Sequence, residues 1–170
     1  KNPDCAIYFD NASNNNFWLN PLGMESPNLP AGNNYTVEYD VYALTQGSNI
    51  VFNGVKAYQN TAHAIEGGQA WQDGPFELNK WFTISKNITT TDTLGGVYIH
   101  VLGDGFKGYI DSFKIKDSEG KVVFEFDPDA DDLAKSNNCA SVVELPAEIE
   151  YAKNPDCAIY FDNASNNNFW

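Results

Sequence analysis

The chain has 170 residues, with ten lysines, no arginine and 23 acidic residues, for a formal net charge of −13. That excess of carboxylates excludes nucleic acid and anionic membrane surfaces as partners, because both recruit basic patches. Hydrophobic residues at 42% and aromatic residues at 14% exclude a disordered acidic tail. No apolar run approaches the ~20 residues that cross a bilayer, and no apolar leader core opens the chain at Lys1, so no direct membrane insertion is expected.

The first element is also the last. Residues 1–18 read KNPDCAIYFDNASNNNFW and return letter for letter as residues 153–170. Diverged duplications do not keep such a run intact. The reading is one module over residues 1–152 and the start of a next repeat over 153–170, in a tandem array of near-identical units. An engineered duplication or a circular permutation would leave the same mark.

Period-two alternation then dominates. Cys5–Asp10 reads as a strand, as does its copy Cys157–Asp162. Tyr35, Val37, Tyr39, Val41 and Ala43 alternate with Thr36, Glu38, Asp40 and Tyr42, the pattern of a half-buried strand. Further strands are predicted at Ile50–Tyr58, Trp81–Ile88, Val97–Leu102, Tyr109–Lys116 and Lys121–Phe126. Turn chemistry separates them at Pro30–Asn33, Glu66–Gly68, Asp73–Pro75, Gly95–Gly96, Gly103–Gly105 and Ser118–Gly120. Asp129–Asn138 is the one predicted helical turn. The fold class is all-β, an antiparallel β-sandwich of the jelly-roll kind with little or no helix.

Cys5 and Cys157 are one position in successive copies, so each module carries two cysteines. A Cys139–Cys157 bridge closes a short loop worth ~3 kcal/mol and suits an extracellular setting; Cys139 with Cys5, or a pair of buried thiols, are the alternatives. Asn11, Asn34, Asn87 and Asn163 head Asn-x-Ser/Thr sequons, possible glycosylation sites, although 21 asparagines make several expected by chance.

Three segments carry a resemblance. Leu29-Pro30-Ala31-Gly32-Asn33-Asn34-Tyr35-Thr36-Val37, Trp81-Phe82-Thr83-Ile84-Ser85 and Tyr109-Ile110-Asp111-Ser112-Phe113-Lys114-Ile115 occur in an order and spacing similar to jelly-roll carbohydrate-binding modules of families four, nine, sixteen and twenty-two. The resemblance spans about residues 29–116 and implies a non-catalytic sandwich with a glycan face. It also implies that Trp81 is a core residue. The first-strand Phe-Glu pair of that family has its nearest equivalent in Phe124-Glu125, after the final strand instead of before the first, a departure that a tandem array explains.

Asp127, Asp129, Asp131 and Asp132 form an acidic cluster close after Glu125. Calcium takes six to eight oxygen ligands, which such a loop supplies. Asp132 and Asn138 stand where an EF-hand starting at Asp127 needs Gly and Glu, so this is no EF-hand. The resemblance implies instead a structural Ca2+ that joins strands through Asp111 and Glu125, with Asp127 and Asp129 alongside; a solvated acidic turn is the plainer alternative.

Sugars offer apolar C–H faces and hydroxyl rims, so their binders use flat aromatic rings among amides and carboxylates. Trp71 is expected in a loop, Ile65–Gly74, rich in such groups, with Gln69 beside it. Tyr58, Tyr42 and Trp18 complete the candidate ligand-binding set. His63 and His100 fit no zinc spacing, and no nucleophile elbow or phosphate loop occurs, so no enzyme is expected. The expected role is a structural or adhesive unit of an extracellular, cell-surface fibre, stalk or adhesin. Its partners are neighbouring copies of the same module, joined by β-strand complementation. Carbohydrate binding, with glycans as partners, is the alternative.

Overall fold

The computed structural model of the chain describes residues 4–11 and 13–153. Each predicted alternation within the described residues becomes a strand; the one predicted at Cys157–Asp162 lies outside them. They are β1 (Cys5–Asn11), β3 (Asn34–Ala43), β4 (Asn49–Val55), β6 (Trp81–Thr89), β7 (Gly96–Leu102), β8 (Phe106–Lys116) and β9 (Val122–Phe126). Four further strands join them: β2 (Asn15–Trp18), β5 (Gln69–Asp73), β10 (Ser136–Asn137) and β11 (Ala140–Glu144). All paired strands run antiparallel.

Two sheets result. The seven-stranded sheet has the order β10-β11-β1-β8-β3-β6, with β9 also on β8, and the four-stranded sheet has the order β2-β7-β4-β5. Because β3 runs along one edge of β8, β1 and β9 share the other: β1 takes Phe106–Ile110 and β9 takes Phe113–Lys116. Asp111 and Ser112 fall at the junction, and Ser112 adopts a φ of 52° where the β3 register also shifts. The fold is an all-β antiparallel sandwich.

Every second residue of these strands closes the core. Ile7, Phe9, Val37, Tyr39, Val41 and Phe113 of the large sheet meet Phe17, Ile50, Phe52, Val97, Ile99 and Val101 of the small one. Phe9 stands edge-on to Phe106, with centroids 5.2 Å apart, and stacks toward Phe17 across the sandwich. A residue that leaves the alternation therefore changes sheet face.

The predicted helical turn over Asp129–Asn138 is a series of turns; the helix lies later, as α1 (Ala147–Lys153). Four aspartates and Pro128 favour local side-chain-to-backbone bonds over a helix: Asp129 Oδ1 accepts from the Asp131 N–H at 2.8 Å, and Asp132 Oδ2 from the Asp129 N–H at 3.2 Å. Helix α1 caps a second apolar cluster on the outer face of the large sheet, where Ile149 and Leu145 cover Ala6, Tyr42 and Tyr109. Trp81 belongs to this cluster and not to the space between the sheets. Its Nε1–H donates to the Ile149 carbonyl at 3.1 Å. Its register partner Tyr42 explains why: both sit one step out of phase with the inward-facing Val41.

Among the described residues no helix is long and apolar enough to cross a membrane.

Candidate functional site

The outer face of the four-stranded sheet is the candidate site. Inward alternation of Phe17, Ile99, Phe52 and Ala70 forces their neighbours outward, and the registers align those neighbours in rows. One row runs Trp18, Tyr98, Asn53, Gln69; the next runs Asn16, His100, Val51, Trp71. Asn49 and Asp73 close a third, joined by a hydrogen bond from Asn49 Nδ2 to Asp73 Oδ1.

Aromatic rings stand at both ends of this strip. Trp18 packs against Tyr98 at 4.8 Å between centroids, and edge-on to Tyr58 at 5.3 Å. At the far side Trp71 is 46% exposed, while Tyr58 is 39% exposed. Tyr58 lies beyond β4, in a loop drawn down onto β7. The drawing down requires Gly96, where a Cβ would come within 2.7 Å of the Ala57 carbonyl carbon and the Tyr58 nitrogen.

Polar groups fill the floor. Asn16 Nδ2 lies 3.2 Å from His100 Nε2. Burial holds the His100 imidazole below its ordinary pKa, so the ring is neutral at pH 7. Asn53 is fully buried although it points away from the core; its Nδ2 donates to the Val51 carbonyl at 3.2 Å, and its Oδ1 has no partner among the described residues. An unmet buried acceptor costs ~1–3 kcal/mol. The segment after the acidic turns pins the strip's edge: Trp18 N–H donates to Asn137 Oδ1 at 2.5 Å, and Asn138 Nδ2 to the Asn16 carbonyl at 2.8 Å.

Of the sequence candidates, Trp71, Gln69, Trp18 and Tyr58 come together here. Tyr42 does not: it is 7% exposed, on the other sheet and beneath α1, so no ligand of this face reaches it. Asn16, Asn53, Tyr98 and His100 were missed, because which face they occupy depends on the registers of strands far apart in sequence.

The acidic residues gather only in part: Asp111 and Asp127 meet, while Glu125 and Asp129 turn elsewhere. Asp111 is 1% exposed, and its carboxylate is ion-paired with Lys153 Nζ. Its Oδ1 accepts from the Ser112 N–H at 2.7 Å. Burial pushes its pKa up to about 7; Lys153 opposes this, and a hydrogen bond with Asp127 adds to it. Glu125 turns instead to Lys114, 3.4 Å away, and Asp129 faces Asp131 and Asp132 in the turn. Among the described residues no three His, Cys, Asp or Glu side chains are grouped to hold a metal ion. The positive charge beside Asp111 is an ammonium.

Cys139 carries a free thiol, and its expected partner Cys157 lies outside the described residues. The alternative bridge to Cys5 is ruled out by register. Cys5 pairs with Glu144 at one end of the β1–β11 ladder, whereas Cys139 lies beyond the Phe9–Ala140 pair at the other. A disulfide needs Cα atoms within about 7 Å.

Asn11 is 1% exposed and donates to the Val101 carbonyl at 2.9 Å, so it is no glycan acceptor in the folded chain. Asn34 and Asn87 are exposed and accept from each other's sequon threonines, Thr89 at 2.8 Å and Thr36 at 3.0 Å. Asn163 lies outside the described residues.

No protein-family model matches the chain, and no curated protein does. Among solved structures, one described as "PbXyn10C CBM APO" is similar in outline at 12% identity, over 85% of this chain and 90% of that one, with a TM-score of 0.47.

Proposed function

We propose that this chain is a non-catalytic glycan-binding module of an extracellular protein, with the outer face of β2, β7, β4 and β5 as its binding surface. One observation carries the reading. A strip of amides and an imidazole is bounded at both ends by exposed aromatic rings. Trp71 and Tyr58 supply apolar faces for sugar C–H groups, and Asn16, Gln69 and Asn49 supply hydrogen bonds to hydroxyls. Asp73 is the sole carboxylate in these rows and is tied to Asn49, so the face offers no acid–base pair for glycoside cleavage. One carboxylate and no lysine in these rows favour neutral over anionic polysaccharides.

Affinity electrophoresis in gels containing soluble neutral polysaccharides tests it. The wild type is retarded by at least one of them and Trp71→Ala is not, while its melting temperature stays within about 3 °C because the ring is half in solvent. A wild type that runs free across a broad panel overturns the reading.

The structural and adhesive role in a tandem surface array belongs beside this one. It is supported by the eighteen-residue repeat, and repetition would multiply weak sugar sites into useful avidity.

A further inference from the structure

We infer that the two identical ends of this chain are interchangeable occupants of a single slot: residues 153–170 can take the places of residues 1–18 in the same molecule, leaving the first copy outside the fold. The slot is well defined. β1 lies between β8 and β11 in the interior of the large sheet, and β2 is the edge of the small one. Two strands cannot share it. Residues 157–163 and 167–170 repeat β1 and β2 letter for letter, so every core contact of Ile7, Phe9 and Phe17 is available from Ile159, Phe161 and Phe169.

The decisive feature is where α1 ends. Lys153, the counterpart of Lys1, has its Nζ 3.9 Å from Asp4 Oδ2 and ion-paired with Asp111 next to the slot. The Leu145 N–H donates to the Asp4 carbonyl at 2.8 Å, which holds the approach to α1 against the same point. Lys1 precedes Asp4 by three residues, a span of at most about 10 Å, and a lysine side chain meeting an aspartate bridges a similar distance. The end of α1 therefore lies beside the slot's entrance.

Exchange between molecules gains nothing by comparison. Residues 1–170 hold one slot and two copies of its occupant, so pairing two such stretches leaves as many spare copies as before, while the internal copy pays no concentration cost. Because β1 is interior, replacing it means opening the sheet, so the occupant is chosen at folding and then kept.

The test uses the 170-residue chain with Phe9→Asp, Phe161→Asp and both. Phe9 has no exposure, and a carboxylate there disables whichever copy carries it. Each single variant is expected to melt cooperatively within about 5 °C of wild type, and the double variant to lose its transition. Maleimide labelling with peptide mass mapping reports the occupant. Cys5 is 1% exposed in the present arrangement; in Phe9→Asp it should label while Cys157 is protected. Several results overturn the inference: a Phe9→Asp chain as unfolded as the double variant, a double variant that still folds, Cys5 still protected in Phe9→Asp, or a Phe9→Asp melting temperature that rises with protein concentration, the mark of donation between chains.

Discussion

Trp18 meets Tyr58 edge-on, with ring centroids 5.3 Å apart and planes at 88°. The contact ties an edge strand of the small sheet to a loop that follows its third strand in the order, β4, and so closes one end of the polar strip. It holds only while the loop lies flat on β7, which makes the proposed binding face depend on Gly96, a residue with no side chain.

Gly96→Ala should therefore act like a binding mutation at a distance. Its Cβ would press on backbone and not on a flexible side chain, so the Ala57–Tyr58 segment must lift. The expected outcome is a melting temperature lowered by several degrees, roughly 1–3 kcal/mol of overpacking, together with the glycan retardation of a Tyr58→Ala variant. Unchanged retardation at reduced stability would show that Tyr58 does not touch the ligand.

Asn53→Ala should leave both binding and folding nearly unchanged. The substitution removes a buried oxygen that has no partner along with one hydrogen bond to the Val51 carbonyl, two effects of opposite sign. Stability should move by less than about 1 kcal/mol, and glycan affinity should stay within about twofold, because the side chain lies wholly beneath the face. Denaturant titration and isothermal calorimetry read the two quantities on one sample.

Asp111 gives the fold a pH dependence of unusual sign for a carboxylate. Its folded pKa of about 7 lies above the roughly 4 of an unfolded aspartate, so between those values the folded chain binds more protons. Its contribution is full below about pH 4 and is lost as pH rises through 7. Urea midpoints measured across that window should decline for wild type, and Asp111→Asn should flatten this part of the profile.

Trp81→Phe tests the cap formed by α1. It keeps most of the apolar contact but deletes the hydrogen bond to the Ile149 carbonyl and weakens the approach of Lys153 Nζ, 5.7 Å from the ring centre. A loss of about 1 kcal/mol with unchanged glycan binding is expected, since this cluster is on the sheet opposite the site. Thermal melts and affinity gels together decide it.

Strand after strand was legible where one face is buried and the other wet. Tyr35 to Ala43 alternates because β3 has β6 and β8 on either side, core beneath and solvent above. Gln69–Asp73 carried no such signal: only Ala70 and Gln72 face inward, and two glycines just before it read as loop. Asn15–Trp18 is hidden for the same reason, a short edge strand with one core residue, Phe17. Helix α1 has seven residues and one buried side chain, Ile149, too little for a 3.6-residue stripe to stand out.

By itself the sequence determined the sandwich class, most strand positions and the presence of a strand-forming segment in two copies, because these follow from local alternation, turn residues and plain identity. Only the tertiary structure decided which aromatic rings share a face. Trp71 and Trp18 are brought together by the registers of β2, β7, β4 and β5, whereas Tyr42 and Trp81, equally aromatic in the text of the sequence, are covered by a helix that begins over sixty residues later. Register is a long-range property, fixed by the sum of many cross-strand contacts and a single residue's slip away from inverting it.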